Sequence, residues 1–374
     1  MKFRISSDSL YAHLLQISKV IVQKNSVPIL DSVLFELKGE QLVLTASDGE
    51  TRLVTRLDVE DTDGGQMSLA IKNKMLLDPL KEIPGQTISM TVDEETMLVK
   101  VDYQNGTFSF KAQSGETYPA VAELKEEPVT ISIPQNVFLA GIGYTINATS
   151  PEDARPITTG IHFDVKPEHI TFVGTDGFLL SLYKNTNVKL GLDTTFTFQK
   201  KPALLLRGLL AKDETAPLDL KIYGTHAVIK TENVDMVCRL IEGKYPNYLA
   251  VIPKFNQNEI IADRVQFLSA LRRVSMFTNQ AFNLISFDIS AERLHLKGND
   301  MDFSTAAEEQ LPISYTGTPQ SVSFRSTQLM EILGYLNSEK ISFKLGDKAT
   351  PGLLSPFEVE DGEEITSLVM PLMS

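Results

Sequence analysis

ITTGIHFDVKPEHITFVGTDGFLLSLY, residues 157–183, decides how the rest of the chain is read. Apolar and polar residues alternate in it at period two, which predicts strands with one buried face. Lys166-Pro167-Glu168 supplies a turn between the first two strands, and Thr175-Asp176-Gly177 supplies a second. Asp can hydrogen-bond the backbone that follows it, and Gly tolerates positive φ. A pair of hairpins is ordinary scaffold; its recurrence is informative. Residues 32–56, SVLFELKGEQLVLTASDGETRLVTR, carry Ser47-Asp48-Gly49 at the matching turn, and residues 285–309, ISFDISAERLHLKGNDMDFSTAAEE, carry Asn299-Asp300 there. Asp48, Asp176 and Asp300 are 128 and 124 residues apart. Solenoid and propeller repeats run to roughly 50 residues, so each copy here is expected to be a whole domain.

The three copies share one grammar of helix, hairpin, strand, helix and closing strands. Helices are predicted over 10–21, 72–83, 135–149, 201–212, 263–277 and 326–337. Leu10, Leu14, Ile17 and Ile21 follow helical spacing behind the capping residues Ser6-Ser7-Asp8. Pro79 falls inside the second helix and is expected to shorten or kink it. The third copy is expected to close with strands 340–346, 357–361 and 365–373. Glu116-Thr117-Tyr118-Pro119 and Gly243-Lys244-Tyr245-Pro246 mark similar joints, which places domains at 1–127, 128–254 and 255–374.

A chain of 374 residues accommodates three domains of this size. Its 42% hydrophobic and 22% charged residues suit packed cores and argue against disorder. No apolar run approaches the ~20 residues of a membrane-spanning helix. The N-terminus shows no secretory h-region, and the single Cys238 suits a reducing compartment, so a cytoplasmic location is expected.

Catalytic patterns are not apparent. Histidines 13, 162, 169, 226 and 295 form no pair at metal-ligand spacing, and there is no phosphate-cradling glycine loop or nucleophile elbow. Asp48, Asp176 and Asp300 occupy equivalent places in different repeats, as turn residues do. No enzyme, cofactor or metal is expected.

The net charge of −13 would ordinarily argue against a nucleic-acid partner. Five helix-containing windows, 1–24, 72–82, 199–212, 263–273 and 325–340, nevertheless hold sixteen Lys and Arg against six Asp and Glu. The helix at 135–149 has no charge and departs from that pattern. Basic helices on an acidic body point to one positive face. A β-rich repeat scaffold that binds only proteins is the rival reading, and it has no use for such helices.

Three tandem copies, the Asp-Gly turns, Pro28-Ile29-Leu30, Tyr245-Pro246-x-Tyr248 and Met370-Pro371-Leu372 together resemble the bacterial β sliding clamp family. The resemblance covers the whole chain. It implies an α+β fold of three tandem DNA-clamp domains, with antiparallel sheets outside and helices lining a ring made by two head-to-tail protomers. Twelve helices about 9 Å apart make a circle about 34 Å across, leaving a bore of about 25 Å. Such a bore passes duplex DNA on loose, sequence-independent phosphate contacts. DNA-facing residues implied in this way are Lys24, Lys200, Lys201, Arg207, Arg264, Arg272 and Arg273.

The resemblance also implies a pocket for short peptide motifs of polymerases, clamp loader and repair proteins. Thr175, Gly177, Leu180, Pro246, Val251, Leu368, Met370, Pro371 and Leu372 would form it. Phe178-Leu179-Leu180 stands where His-Arg-Leu is usual, Thr158 where Leu is usual, and Ala250 where Arg is usual. The chain ends in Met373-Ser374 where Arg-Leu is usual, and these departures bear on motif preference. For the ring joint, Phe108 and Phe110 align with one apolar side and Met276 and Phe277 with the other. Alternation puts both Phe on one face, so they also fit the core of their own domain.

Overall fold

Each of the three Asp turns folds around its own carboxylate. Asp48 Oδ1 accepts the Glu50 and Thr51 amides at 2.9 and 2.7 Å. Asp176 Oδ1 accepts those of Phe178 and Leu179 at 2.8 and 2.6 Å. Asp300 Oδ1 accepts those of Asp302 and Phe303 at 2.9 and 3.3 Å. Gly49 and Gly177 sit at φ +97° and +95°, where a side chain is strained. One oxygen of each carboxylate thus serves its own turn's backbone, as local turns require.

The computed structural model describes residues 2–22, 25–63, 66–120, 124–151, 155–210, 215–347 and 349–372. Contacts gather the chain into two units, Met1–Gln135 with Lys201–Leu240, and Asn136–Lys200 with Ile241–Ser374. All strand pairing is antiparallel. The first unit has a four-stranded sheet ordered Lys2–Ser6, Thr87–Asp93, Leu98–Tyr103, Gly106–Lys111. Its nine-stranded sheet runs Val129–Pro134, Pro217–Tyr223, His226–Lys230, Val234–Arg239, Thr51–Asp58, Gln41–Ser47, Ser32–Lys38, Met67–Lys72, Gln113–Ser114. The second unit's nine-stranded sheet runs Thr194–Phe198, Ile161–Lys166, His169–Thr175, Leu179–Asn185, Glu363–Val369, Gly352–Pro356, Lys340–Leu345, Asn258–Asp263, Ser314–Tyr315. Its four-stranded sheet is Thr305–Pro312, Arg293–Asp300, Leu284–Ser290, Gln320–Arg325.

The two long sheets are each a seam between repeats. Residues 51–58 of the first copy pair with 234–239 of the second, Arg52 facing Val237. Residues 179–185 of the second pair with 363–369 of the third, Leu180 facing Leu368. The middle repeat therefore contributes strands to both units, because the backbone hydrogen bonds of each sheet continue across a repeat border.

Six α-helices occur among the described residues: α1 Ser7–Ile17, α2 Asn73–Glu82, α3 Gln135–Thr145, α4 Lys200–Arg207, α5 Arg264–Ser275 and α6 Ser326–Tyr335. The Ser6 hydroxyl accepts the Ser9 amide at 3.4 Å and starts α1 earlier than apolar spacing alone predicted. Pro79 does not end α2, which continues to Glu82; the proline costs one helical hydrogen bond there. Helix α4 stops at Arg207, short of the predicted 212. Another expectation is corrected near the C-terminus, where the strand is Gly352–Pro356 and not 357–361. Leu354 is fully buried, whereas Phe357 and Val359, beyond Pro356, are exposed. The last strand ends at Val369.

Uncharged α3 buries Val137, Phe138, Gly141, Ile142 and Thr145. Phe138 meets Phe163 and Phe198 with ring centroids 6.1 and 6.4 Å apart, and Phe172 packs on Phe163 at 4.6 Å. The end of α3 comes so close to strand 169–175 that a Cβ on Gly174 would lie 2.1 Å from the Thr145 carbonyl oxygen. Backbone cannot yield cheaply there. Gly174→Ala is expected to destabilise the fold by about 1–3 kcal/mol, read as a lower melting temperature. A Cβ on Gly143, in the same helix, meets nothing within 4 Å. Gly143→Ala is therefore expected to gain about 0.5–1 kcal/mol.

Candidate functional site

Pairing at the second seam places Leu180 and Leu368 side by side, and period two aligns Leu182 and Val173 with them. These four form a buried apolar cluster with Tyr245 and Tyr248, against which Ile157, Ile252, Leu353 and Met370 pack half-buried. Of the residues implied by resemblance, Leu180, Leu368 and Met370 meet in this cluster. Thr175 is buried and has a turn role: its hydroxyl donates to Leu179 O at 2.7 Å and accepts the Gly177 amide at 3.1 Å. Gly177, Pro246 and Val251 are exposed, and Pro371 and Leu372 are half-buried. Leu372 is pinned by its amide to Ser323 O at 2.8 Å. It thereby bridges to the strand Gln320–Arg325, which is how the chain end is held beside the cluster.

Sequence reasoning missed Val173, Leu182, Ile157, Ile252 and Leu353. The first two were legible from period-two alternation out of Leu180. Thr158, at the position where Leu is usual, is buried with its hydroxyl bonded to Arg155 O at 2.9 Å. The apolar contribution comes from neighbouring Ile157.

Beneath Tyr245 lies His162, ring stacked on ring at 4.2 Å and 6°. His162 Nδ1 is 3.2 Å from Thr197 Oγ1, and Tyr248 donates to Asp164 Oδ2 at 2.7 Å. Burial pushes His162 down to about 4, with Asp164 opposing the shift weakly. The imidazole is thus a neutral slab that fixes the Tyr245-Pro246 joint.

The basic residues divide by what they touch. Lys201 is ion-paired to Asp48 and donates to Val20 O at 2.6 Å, so its charge is tied into its own unit. Arg264 donates to Ser338 O at 2.8 Å and to Leu333 O at 3.0 Å, satisfying the end of α6. Arg273 grips Glu309 through two hydrogen bonds of 2.9 and 2.5 Å and holds that carboxyl below its ordinary range. Arg207 and Arg272 are exposed. Lys200 is half-buried, and its charge counteracts the rise that burial imposes on Glu331. Lys24 lies outside the described residues. Among the described residues no group of three or more His, Cys, Asp or Glu is placed to hold a metal ion. No described helix is long and apolar enough to cross a membrane.

Phe108 and Phe110 lie on Gly106–Lys111, an edge strand of the first unit. Both are half-buried, with rings 6.2 Å apart, while Thr107, Ser109 and Lys111 are exposed. Met276 and Phe277, just past α5, are 72% and 43% exposed. Thr305, which opens the second unit's edge strand Thr305–Pro312, hydrogen-bonds Phe277 O at 3.5 Å. Phe282, Met301 and Phe303 add exposed apolar surface in the same stretch of chain.

Models for the N-terminal, central and C-terminal domains of the DNA polymerase III beta subunit match residues 1–122, 132–247 and 249–373. The beta sliding clamp of Pseudomonas putida is 25% identical over 374 residues, covering both chains in full. That of Synechococcus elongatus is 26% identical over 381 residues, covering 100% of this chain and 99% of the relative. A Pseudomonas aeruginosa sliding clamp bound to griselimycin superposes with a TM-score of 0.92 at 24% identity, covering all of both chains.

His162 makes the stability of the second unit pH-dependent in a definite sense. Its folded pKa lies below that of an unfolded histidine, so the unfolded chain takes up more protons between the two values. Stability contributed by neutral His162 is present above pH ~6.5 and is lost as pH falls toward 4, by an amount on the order of 3 kcal/mol. Urea unfolding at pH 7.5, 5.5 and 4.5 checks this. His162→Phe, which keeps the stack without the titration, is expected to flatten that part of the profile.

Proposed function

Because the chain belongs to the DNA polymerase III beta-subunit family, the bacterial sliding clamps, we propose that it is the ring that keeps a replicative polymerase on duplex DNA. The observation that carries this reading is that three domain models of one family tile the whole chain in order. Clamp domains at 1–127, 128–254 and 255–374 are the proposed borders. The protein acts by encircling and tethering, in the cytoplasm, without a catalytic centre, cofactor or metal. A duplex with water around it needs only a weak, sequence-independent field. Lys24, Lys200, Arg207 and Arg272 are assigned the direct phosphate contacts. Lys201, Arg264 and Arg273 add charge to that field while holding internal partners.

The ring closes by adding the edge strand 106–111 of one protomer to the edge strand 305–312 of another. Both edges otherwise present backbone donors and acceptors with no strand beside them. The half-buried Phe108 and Phe110 and the exposed Met276 and Phe277 supply the apolar part, each buried Phe contributing on the order of 2 kcal/mol. Replacing Phe110 and Phe277 with Asp is expected to yield monomers by light scattering. The unaltered protein, once loaded, should be retained on nicked circular DNA and lost when the circle is linearised. Retention on linear DNA with free ends would contradict encirclement.

The cluster around Leu180, Leu368 and Met370 is assigned the short motifs of polymerases, clamp loader and repair proteins. Its apolar walls suit an anchor side chain, and Met370 can adapt to different ones. Deleting residues 370–374 removes Met370 and the Leu372 pin and leaves the Leu180–Leu368 pairing. Binding of a polymerase-derived peptide, followed by fluorescence anisotropy, is expected to be abolished with the dimer intact. Normal peptide binding after truncation would remove these residues from the pocket.

A further inference from the structure

The geometry that builds the apolar cluster of the second unit occurs again in the first unit with other side chains. Ser47 accepts the Gly49 amide at 3.1 Å and donates to Thr51 O at 3.0 Å, as Thr175 does with Gly177 and Leu179. Counting from Asp48 and Asp176, Thr51 and Arg52 take the places of Leu179 and Leu180. Across the seam Val237 takes the place of Leu368, since each faces the fourth residue after its Asp. Arg239 likewise falls where Met370 stands, and Tyr118-Pro119 where Tyr245-Pro246 stands. A cleft of about 200 Å³ is found at this place, lined among others by Thr51, Arg52, Pro119, Leu124, His226 and Val237.

Its chemistry differs from that of the apolar cluster. The Arg52 guanidinium donates to Pro119 O, lies 5.9 Å from the centre of the Tyr118 ring, and is lowered from its ordinary pKa by burial. Arg239 and Glu50 are 3.7 Å apart and each about 50% exposed, a loose pair that is worth little in water. Thr51 is only 1% exposed, and its hydroxyl has no hydrogen-bond partner. That hydroxyl faces the core beside fully buried Cys238, opposite to Arg52 and Val237, so the polar group the cleft offers is the Arg52 guanidinium. An apolar anchor would instead have to desolvate Arg52 without replacing its lost water.

We propose that this cleft is a second ligand site, one that takes the carboxylate side chain of an acidic peptide segment. A guanidinium fork matches a carboxylate in shape and charge, and His226 lines the same cleft. The volume is below the ~300 Å³ at which small-molecule sites begin, which fits one or two side chains. Glu50 limits the site to a single added carboxylate. The inference rests on the repeat register and on Arg52. It does not require peptide binding at Leu180 and Leu368, so the two readings can fail separately.

The test uses the full chain, isotope-labelled, titrated with the probe peptide acetyl-Gly-Glu-Leu-Gly-amide and with its Gln counterpart. Saturable shifts of the Thr51, Arg52 and Val237 amides by the Glu peptide are expected, with the Gln peptide about tenfold weaker. Arg52→Gln should weaken the Glu peptide at least tenfold, Arg52→Lys less, and binding should weaken with added salt. Equal binding of the two peptides, shifts confined to Leu180 and Leu368, or no saturable response would each overturn the proposal. Should Arg52→Gln lower the melting temperature, the Glu-against-Gln comparison on the unaltered protein decides.

Discussion

Antiparallel pairing at the two seams is the interaction on which the other features depend. Residues 51–58 pair with 234–239, and residues 179–185 pair with 363–369. Side chains alternate across a strand, so a slip of one residue would turn Leu180 and Leu368 to the opposite face. The Asp48 and Asp176 carboxylates fix the turn into each seam strand, and so its register on the preceding strand of its own repeat. A cluster that needs residues from 157, 180, 245 and 368 is thereby set by a local turn and a ladder of backbone hydrogen bonds.

The same seam used twice carries two chemistries. At the second, Leu180, Leu368 and Met370 stand over the His162–Tyr245 stack and offer apolar surface. At the first, Arg52, Val237 and Arg239 hold the equivalent places, and the surface is cationic and partly desolvated. The backbone geometry is common to both, so the difference in ligand chemistry rests on a few side-chain identities. Fold and site chemistry are separable in this way because a strand's hydrogen bonds do not depend on what its side chains are.

Charge follows a related division of labour. Lys201 with Asp48, Arg264 with the end of α6, and Arg273 with Glu309 use cations to hold elements in place. Arg207 and Arg272 are exposed and are the ones proposed to meet phosphates directly. In the proposed collar, spread-out cations suit sliding, since tightly converging ones would pin it to particular phosphates.

The amino-acid sequence determined the repeat, the hairpins and the turns, because period-two alternation and an Asp-Gly pair act within a few residues. Likeness to a known family singled out Leu180, Leu368 and Met370, which meet in one apolar cluster. Its errors lay where distant contacts outweigh local pattern. The strand at 352–356 was missed because GLLSP does not alternate in sequence as FEVED at 357–361 does; pairing with strands 340–345 and 363–369 selects it. Tertiary structure alone decided that strands of different repeats join into nine-stranded sheets and that Ile157 supplies the apolar contact expected from position 158. It alone decided that Lys201 is bound to Asp48 and that Arg52 and Val237 line one cleft. These depend on which backbone edges meet, and residues more than a hundred positions apart carry no local signal of that meeting.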